Sequence, residues 1–481
     1  MKPYVFIIQG ATLNNNIQEA VIADLKKQKI AILGLGVTSI YLVRFLCSCG
    51  ISLTICDMKN EKELEQIRHD LAGLDVEYRL GENYMDNLTD FQLIFISPGI
   101  NPLKAEIVEA KEKGVEFSSE IELLFELSKA PIVGITGSSG KTTTTTLTGQ
   151  ILTEEYDNRG KKAYVGGNIG TPLIDKVLDF KETDIVLLEL SSFQLKFMKK
   201  SAHIGAILNI TPNHLDVHPD MQDYISSKEN LIKYQSAQDV AIFNLDNEIS
   251  SGLMNKTTGK KMAFSLNEKL DEGAYLDGDE ILFASNGSRE TICNISDIKI
   301  PGMHNVENVL AAIVISIAAG ASRDVIRKNI KSFSGVSHRL EKVRVVNGVT
   351  YVNDSISTTP SRAIAGIKAI DSPIVQIAGG YDKKLPFDEM ADIAIERVKE
   401  FILLGNTAPK IEEALKHAAA NKHRELPSIH KAVSLEEAID IAARVSKAGD
   451  FVLLSPACAS YDMFKNFEER GNIFKEIVNK L

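Results

Sequence analysis

Residues 131–142 have the pattern of a buried strand, a glycine-rich turn and the start of a helix. The apolar run 131–136 leads into a turn that reads Gly-Ser-Ser-Gly-Lys-Thr, from Gly137 to Thr142. Glycines let a backbone curl so that its N–H groups face a phosphate, with a helix N-terminus behind them. In such a loop Lys141 would reach the β- and γ-phosphates, and the Thr142 hydroxyl would ligate Mg²⁺. The glycine spacing departs from the strict phosphate-loop pattern, and the alternative is a glycine-rich turn with a chance Lys-Thr pair.

The strand-then-helix rhythm restarts three times along the chain, which predicts an α/β fold with parallel sheets. A length of 481 residues suggests roughly three domains. We place them at 1–120, 121–335 and 336–481, with residues 1–28 as an N-terminal extension that matches neither a helix nor a strand pattern. Short alternating runs broken by Gly, Asn and Asp make residues 250–300 β-rich. The predicted strands are 30–33, 51–56, 93–96, 131–136, 184–190, 204–210, 240–243, 349–353, 374–378, 401–404 and 451–454.

Composition excludes several classes of protein. With 54 Lys+Arg against 64 Asp+Glu, the net charge of −10 argues against a general nucleic-acid binder, although a local phosphate site is still allowed. The five cysteines form no CxxC pair, which argues against a zinc site or a disulfide framework. The apolar stretch 309–319 is far below the roughly 20 residues that span a bilayer, so we interpret it as a buried helix. These features predict a cytoplasmic protein with no membrane insertion.

Further polar residues follow predicted strands of the second block. Glu189 stands at the end of one strand and His214 lies just after the next. Because ligands bind at the carboxyl edge of parallel sheets, both are candidates for metal binding near the glycine loop, whereas each alone would be a solvated side chain. Lys228 lies on a predicted helix, and the sequence pattern alone gives it no role.

The first block contains a second glycine turn, Gly34-x-Gly36-x-x-Ser39, with Asp57 ending the next predicted strand. This pattern resembles a dinucleotide fingerprint in which Ser39 replaces the third glycine, and an ordinary βα turn is the alternative. A dehydrogenase would leave the loop at Gly137 unexplained. Two nucleotide-type sites instead suggest an enzyme that joins ATP to a nucleotide-bearing substrate.

Three turns of the third block follow predicted strands and therefore fall on one sheet edge, as a substrate cleft requires. They begin at Asn353, Gly379 and Ser455. Lys383 and the region of Ser460 could hold a small carboxylate ligand by charge and hydroxyl contacts. Turn chemistry explains each of them equally well when taken alone.

Taken together, these segments resemble the Mur ligases of bacterial cell-wall synthesis over residues 29–481. The resemblance rests on the loop ending at Thr142, on Glu-Leu-Ser-Ser-Phe-Gln from Glu189, and on Asn-His-Leu-Asp from Asn213. It also rests on Gly-x-His-Asn-x-x-Asn ending at Asn308, on the pair His338-Arg339, and on the segment 454–471.

The resemblance implies an α/β fold of three domains, in which a central P-loop-type ATPase lies between two Rossmann-like domains. It implies a ligase that uses ATP and Mg²⁺, with two ions expected, to phosphorylate the carboxylate of UDP-N-acetylmuramoyl-L-alanine. D-Glutamate then attacks the acyl phosphate. We expect the protein to be a monomer.

The resemblance also assigns site residues by position. For catalysis and metal binding it implies Lys141, Thr142, Glu189, His214 and Lys228, with Lys228 carbamylated by CO₂. For ATP it implies Gly137, Ser138, Ser139, Gly140, Lys141, Thr142, Thr143, Asn305, Asn308, Arg339 and Asp354. For the UDP substrate it implies Gly34, Leu35, Gly36, Val37, Thr38, Asp57, Ser97, Pro98, Gly99, Asn168 and His214. For D-glutamate it implies Thr358, Lys383, Ser460 and Phe467.

The chain departs from the family pattern after Ser355, where the family usually has Lys-Ala-Thr-Asn and this sequence has Ile356-Ser-Thr358-Thr-Pro360. The departure leaves two alternatives. One is a sister ligase of the Mur or folylpolyglutamate type with a different amino acid, although the Asp-Asn-Pro-Arg signature of the diamino-acid enzymes is absent. The other is a nucleotide-binding protein that retains the fold without the reaction.

Overall fold

A computed structural model describes residues 17–213 and 217–481. The chain divides into two compact units, one ending at Phe333 and one comprising Ser334–Leu481. The first unit contains two sheets and the second contains one, so the α/β class predicted from the sequence is confirmed.

The first sheet has five parallel strands in the order β3-β2-β1-β4-β5, a doubly wound arrangement. Helix α1 lies within the segment to which the sequence pattern assigned no element. It packs beside α5, where the buried side chain of Gln18 donates hydrogen bonds to the carbonyls of Leu127 (2.9 Å) and Val177 (3.3 Å). The strands are β1 Ile30–Leu33, β2 Leu53–Asp57, β3 Val76–Leu80, β4 Leu93–Ile96 and β5 Glu116–Ser118. The helices are α1 Ile17–Leu25, α2 Val37–Ser48, α3 Glu65–Asp70, α4 Ala105–Glu112 and α5 Glu120–Leu127.

The second sheet has nine strands in the order β14-β13-β12-β11-β10-β9-β6-β8-β7. Strands β6 to β11 are parallel to their neighbours and β12 is parallel to β11, whereas β12, β13 and β14 form an antiparallel meander. The prediction that residues 250–300 are rich in β-structure is confirmed. The strands are β6 Ile132–Thr136, β7 Ala163–Gly167, β8 Ile185–Glu189, β9 Ile204–Ile207, β10 Val240–Asn244, β11 Lys260–Ser265, β12 Gly273–Asp277, β13 Glu280–Ser285 and β14 Ser288–Asn294. The helices are α6 Lys141–Asn158, α7 Ser192–Leu195, α8 Met221–Lys233, α9 Glu248–Gly252, α10 Met303–Ala318 and α11 Arg323–Ser332.

The third sheet has six strands in the order β15-β16-β20-β17-β18-β19, parallel except for the β15–β16 pair. Strands β16 and β17 flank β20, so the turns that follow these three strands are neighbours. The strands are β15 Glu341–Val346, β16 Val349–Asn353, β17 Ile374–Gly379, β18 Val398–Leu404, β19 Ser428–Lys431 and β20 Phe451–Leu454. The helices are α12 Pro360–Lys368, α13 Asp388–Arg397, α14 Ala408–Asn421, α15 Leu435–Val445 and α16 Phe467–Val478.

The central strands are continuous apolar runs because helices cover both faces of a parallel sheet. Every residue of β6, β8 and β9 is buried. Helix α10 is the buried helix predicted from the stretch 309–319, and it packs against α6. In the part of the chain that the structure describes, no helix is both long and apolar enough to cross a membrane.

Candidate active site

The turn between β6 and α6 brings a glycine backbone close to α10. Gly140 has φ +78°, and a Cβ added there would lie 2.2 Å from Oδ1 of Asn308. Both the backbone conformation and the lack of space therefore require glycine. The following residue, Lys141, begins an 18-residue helix whose first N–H groups have no partner within the helix and favour an anion.

Asn209, just beyond β9, holds the first half of this loop. Its backbone carbonyl accepts a hydrogen bond from the N–H of Ser138 (2.8 Å), and its side-chain Oδ1 accepts one from the N–H of Ser139 (2.9 Å). The N–H groups of Gly140 and of the first turn of α6 are thus the ones that a phosphate would meet. The strand predicted as 204–210 is shorter in the structure and ends at Ile207, and Asn209 beyond it bonds to the loop.

Two lysine ammonium groups meet at the same backbone oxygen. The carbonyl of Gly137 accepts hydrogen bonds from Nζ of Lys141 (2.8 Å) and from Nζ of Lys228 (3.1 Å). Lys228 lies on α8, is only 1% exposed, and also contacts the hydroxyl of Thr136 (3.3 Å). Burial, together with repulsion from Lys141, lowers the pKa of Lys228 to about 7. A substantial fraction of this amine is therefore neutral near neutral pH.

Glu189 ends β8 as the sequence predicts, and its side chain is 1% exposed. Its Oε1 accepts a hydrogen bond from Nδ2 of Asn168 (2.9 Å), whereas its Oε2 is buried without a hydrogen-bond partner among the described residues. A buried carboxylate oxygen of this kind is costly to leave unpaired and suits a cation. Gly167 lets the chain approach, because a Cβ there would lie 2.2 Å from the carbonyl oxygen of Glu189.

Some of the other predicted site residues of the first unit lie among the described residues, and some do not. His214 and the side chain of Val37 lie outside the described residues. Within the described ranges, no group of three or more His, Cys, Asp or Glu side chains is placed to hold a metal. Thr142 and Thr143 lie in the first turn of α6. Asn305 and Asn308 lie in the first turns of α10 and hydrogen-bond to each other (3.2 Å), and Asn308 Oδ1 accepts a bond from Thr144 of α6 (3.4 Å).

The first glycine turn is braced by Asp57. Its carboxylate accepts hydrogen bonds from the N–H groups of Leu35 (2.6 Å) and Lys59 (2.8 Å), so it fixes the turn at Gly34 from the end of β2. The side chain of Ser39 donates to the carbonyl of Gly34 (2.9 Å), which explains the serine at the third glycine position of the pattern.

A cavity of about 240 Å³ opens beside this turn, between the ends of the first and second sheets. Ser97, Pro98 and Gly99 line it, so these three predicted residues lie at one cavity. On its other side lie Gln194 and the buried His218. A larger groove of about 720 Å³ lies along α6 and β7, on the side of Thr146 and Asp157.

His218 belongs to a hydrogen-bonded network that sequence reasoning missed. Its Nε2 lies 2.9 Å from the hydroxyl of Ser192 and its Nδ1 lies 2.6 Å from Oδ2 of Asp223. Lys196 also donates to that carboxylate oxygen (2.8 Å). Although burial opposes them, the bonds from Lys196 and His218 lower the pKa of Asp223. The network fixes α7, which follows Glu189, against the start of α8.

In the second unit, Asp354 follows β16 and is buried. Its carboxylate accepts hydrogen bonds from the hydroxyls of Ser357 (2.5 Å) and Ser455 (2.9 Å) and from the N–H of Leu340 (3.2 Å). Burial nevertheless raises the pKa of Asp354 to about 6. The exposed side chain of Arg339 precedes Leu340 and lowers that pKa by its charge.

The predicted carboxylate-binding residues lie on the turns after β16, β20 and β17 and at the start of α16. Ser460 is buried, and Phe467 lies edge-on to the ring of His338 at a centroid distance of 6.0 Å. Thr358 donates its N–H to the carbonyl of Ile356 (2.8 Å). Lys383 is exposed, and its pKa is lowered first by partial burial and then by neighbouring arginines. These residues therefore share one sheet edge, as the sequence predicts.

Comparisons with known proteins find Mur ligase domains in three parts of the chain. Residues 28–119 match the N-terminal domain of MurD-like Mur ligases, residues 135–316 the Mur ligase middle domain, and residues 338–458 the glutamate ligase domain of Mur ligases. The chain belongs to the Mur ligase family, and it has the three-domain α/β arrangement that the resemblance implied.

Curated relatives are similar to this chain over nearly their whole length. A UDP-N-acetylmuramoylalanine–D-glutamate ligase of Acetivibrio thermocellus is 46% identical over 95% of this chain and 97% of its own. The ligase of the same name from Clostridium kluyveri is 44% identical over 95% of this chain and 98% of its own.

Solved structures share the fold at low sequence identity. The UDP-N-acetylmuramate–alanine ligase MurC of Thermotoga maritima has a TM-score of 0.51 at 17% identity and covers 94% of this chain and 99% of its own. Escherichia coli FolC in complex with DHPP and ADP has a TM-score of 0.51 at 15% identity, covering 76% of this chain and 93% of its own.

Proposed function

We propose that this chain is an ATP-dependent ligase that joins D-glutamate to UDP-N-acetylmuramoyl-L-alanine in the synthesis of peptidoglycan precursors. The observation that carries this proposal is the 46% identity, over 95% of the chain, to a D-glutamate ligase. The site supports the proposal, because Lys141 and Lys228 lie at the glycine loop and Glu189 at the end of β8 has a carboxylate oxygen without a partner among the described residues. The protein would act in the cytoplasm as a monomer.

The reaction balances in two steps. A carboxylate oxygen of the L-alanyl group attacks the γ-phosphorus of ATP, ADP leaves, and an acyl phosphate forms. The amine of D-glutamate then attacks the acyl carbon and loses a proton to solvent, and phosphate leaves with the former carboxylate oxygen. A free carboxylate is a poor electrophile, and the protein contributes by positioning the reactants and by offsetting the charge on the phosphoryl group.

The phosphate loop would bind the triphosphate with the backbone N–H groups at Gly140 and the first turn of α6. Lys141 lies above the loop and would release its carbonyl contacts to reach the outer phosphates. We assign the remainder of the ATP site from the family resemblance. It comprises Gly137, Ser138, Ser139, Thr142, Thr143, Asn305, Asn308, Arg339 and Asp354.

Magnesium would be held by side chains near the carboxyl edge of the second sheet, and two ions are expected. Glu189 fits this role because its Oε2 is buried without a partner among the described residues. Thr142, His214 and a carbamylated Lys228 complete the proposed set. When bound, Mg²⁺ neutralises charge on the phosphoryl oxygens.

Carbamylation requires a neutral amine, since only the lone pair of an uncharged lysine attacks CO₂. A pKa of about 7 provides that neutral fraction at Lys228, and conversion to a carbamate would replace a cation near Lys141 by an anion. We predict a carbamate signal in ¹³C NMR when the enzyme is equilibrated with ¹³C-bicarbonate. The same experiment on Lys228→Ala should give no such signal, and that variant should stay inactive with added bicarbonate. Normal turnover of Lys228→Ala would exclude a catalytic carbamate.

The UDP substrate would enter along the cavity lined by Ser97, Pro98 and Gly99, with its reacting end toward Asn168. The same assignment, by family resemblance, includes Gly34, Leu35, Gly36, Val37, Thr38, Asp57 and His214. D-Glutamate is assigned to Thr358, Lys383, Ser460 and Phe467. In this assignment residues 1–120 bind the UDP substrate, 121–335 bind ATP, and 336–481 bind the amino acid and contribute to the ATP site.

A phosphate-release assay with each substrate omitted in turn tests the proposal. We expect phosphate release only when ATP, UDP-N-acetylmuramoyl-L-alanine and D-glutamate are all present, and little release with L-glutamate. Lys141→Ala should abolish it, whereas Lys129→Ala should not, since Lys129 lies before β6. Equal turnover without D-glutamate would refute the proposal, and turnover with another amino acid would favour a sister ligase. Inactivity of the wild type with every amino acid would favour a nucleotide-binding protein without ligase activity.

A further inference from the structure

Three turns of the third sheet are tied to one another by hydrogen bonds. The buried Arg470 of α16 donates to the hydroxyl of Ser355 (3.0 Å) after β16 and to the carbonyl of Cys458 (3.2 Å) after β20. The N–H of Tyr381, in the turn after β17, donates to the carbonyl of Ala459 (2.9 Å). The turns after β16 and β17 are therefore held on either side of the turn that bears Ser460.

Two cations project from the outer turns of this assembly. Arg362 lies in the first turn of α12, and Lys383 follows the two glycines that end β17. Both side chains are exposed, and among the described residues neither forms an ion pair with a carboxylate. Partial burial and then the charge of Arg362 lower the pKa of Lys383, so the two cations are close enough to repel each other.

The nearby carboxylates are directed elsewhere. Asp382, beside Lys383, is paired with Lys410 and accepts the N–H of Lys384 (2.7 Å). Asp462 accepts the N–H of Asn406 (3.1 Å). Among the described residues, no carboxylate is therefore paired with either cation, so both are available to an anionic ligand.

Arg362 is anchored in a way that leaves most of its donors available. One N–H of its guanidinium donates to the carbonyl of Ile356 (3.3 Å), and a guanidinium carries five such donors. The remaining donors include a pair that can bind a carboxylate in the two-pronged manner for which arginine is suited. Ile356 itself stands where the family pattern has a lysine, so the turn has no cation of its own at that position.

We propose that Arg362 is a substrate-binding and specificity-determining residue, which pairs with one carboxylate of the incoming amino diacid while Lys383 pairs with the other. The inference rests on the proposed function, since D-glutamate carries two carboxylates. An amino acid with one carboxylate would leave one cation unpaired and would bind more weakly.

The test compares KM values for D-glutamate in the wild type, Arg362→Ala and Arg362→Gln. We expect the KM for D-glutamate to rise about 10- to 100-fold in both variants, the range of a lost charge-assisted pair, with the KM for ATP and kcat changed less than about threefold. Arg362→Gln keeps a donor for the Ile356 carbonyl and guards against a folding defect in the alanine variant. Ile356→Lys in the Arg362→Ala background should recover part of the affinity.

A matched control is Arg397→Ala, because Arg397 of α13 also donates to a backbone carbonyl, that of Ile370 (3.4 Å), but lies near Asp371. Its KM for D-glutamate should stay within about twofold of the wild-type value. A second readout uses D-glutamine and D-glutamic acid α-amide, each of which lacks one carboxylate. Arg362→Ala should lose the preference for D-glutamate over one of these two amides and keep it over the other.

The outcomes separate this inference from the proposed function. If the wild type uses D-glutamate and Arg362→Gln has an unchanged KM for it, the role of Arg362 is refuted and the proposed function stands. If the wild type does not use D-glutamate, the proposed function fails first. An equal rise in the KM for ATP and for D-glutamate would assign Arg362 to general stability instead of to the amino-acid site.

Discussion

Replacing Glu189 by glutamine should separate stability from activity. The carboxylate is buried at the end of β8, with Oε1 bonded to Asn168 and Oε2 without a partner among the described residues. A buried charged group with one oxygen left unpaired costs more than a neutral group in the same place, by roughly 1–3 kcal/mol. Glutamine keeps an oxygen for Asn168 and puts a neutral amide nitrogen where the unpaired oxygen lies. We therefore expect Glu189→Gln to raise the free energy of unfolding by about 1–2 kcal/mol in the absence of ligands.

The same substitution, Glu189→Gln, should lower the ligase activity. If Oε2 is a metal ligand, the variant loses Mg²⁺-dependent turnover by about 10²–10³-fold, the range for removing one charge-stabilising group. It should also lose the rise in Tm that ATP with Mg²⁺ gives the wild type, because a ligand stabilises only the state to which it binds. Denaturation in urea and thermal melts with and without ATP–Mg²⁺ measure both effects.

Glu122→Gln is the matched control, since Glu122 is also a buried glutamate. Both of its oxygens accept hydrogen bonds, from Lys199 N–H (3.0 Å) and from the Ser118 hydroxyl (3.0 Å). Its substitution weakens charge-assisted bonds and should lower stability or leave it unchanged, with turnover retained. The reasoning fails if Glu189→Gln is destabilised as much as this control, or if it turns over normally with Mg²⁺.

Two further predictions concern Gly140 and Asp354. Gly140→Ala would put a side chain on a left-handed backbone and 2.2 Å from Asn308, whereas Gly160 has φ +67° with nothing within 4 Å of an added Cβ. Gly160→Ala should therefore lower the free energy of unfolding by about 1–2 kcal/mol, and Gly140→Ala should lower it more and also weaken ATP binding. Equal melting temperatures of the two variants would contradict this. Asp354 has its pKa raised from 3.8 to about 6, so the folded state holds a proton that the unfolded state releases, and its contribution to stability is greatest below pH 4 and is lost as the pH rises through 6. Asp354→Asn, whose amide nitrogen can donate to the hydroxyls of Ser357 and Ser455, should therefore gain stability relative to the wild type as the pH rises. At about 1.4 kcal/mol per pH unit, the gain should reach about 3 kcal/mol above pH 6. Denaturation midpoints from pH 4 to 8 measure it, and a difference that does not depend on pH would contradict the assignment.

Local signals were sufficient for much of the fold. The apolar strand, glycine turn and helix around Gly137 are adjacent in the sequence, and the structure has them at β6 and α6. Strands β1 and β4 have the bounds that their short apolar runs predict. The β-rich character of the segment that forms β12–β14 followed from alternation broken by turn residues.

Elements stabilised by distant partners could not be predicted in the same way. Helix α1 has a weak pattern, and its buried Gln18 is satisfied by carbonyls of Leu127 and Val177, more than a hundred residues away. The edge strands β15 and β19 are largely exposed and carry charged residues, so they lack the apolar run that marks a central strand.

The same distinction holds for the candidate site. Residues at strand ends, such as Glu189 and Asp354, were predictable because parallel strands bring their carboxyl ends to one edge. Asn209 and His218 act through partners on other elements, and the signal for each was faint: an asparagine ending an apolar run, and a second histidine after His214. The environment of Lys228 depends on α8 packing over the loop, which no local pattern encodes.

The transfer of an oxygen atom from substrate to phosphate tests the proposed ligase reaction most directly. UDP-N-acetylmuramoyl-L-alanine labelled with ¹⁸O in both oxygens of its free carboxylate is incubated with the protein, ATP, Mg²⁺ and D-glutamate, and the released phosphate is analysed by mass spectrometry. Passage through an acyl phosphate places one ¹⁸O in each phosphate and leaves one in the new amide. Phosphate that carries no ¹⁸O would contradict the proposed reaction.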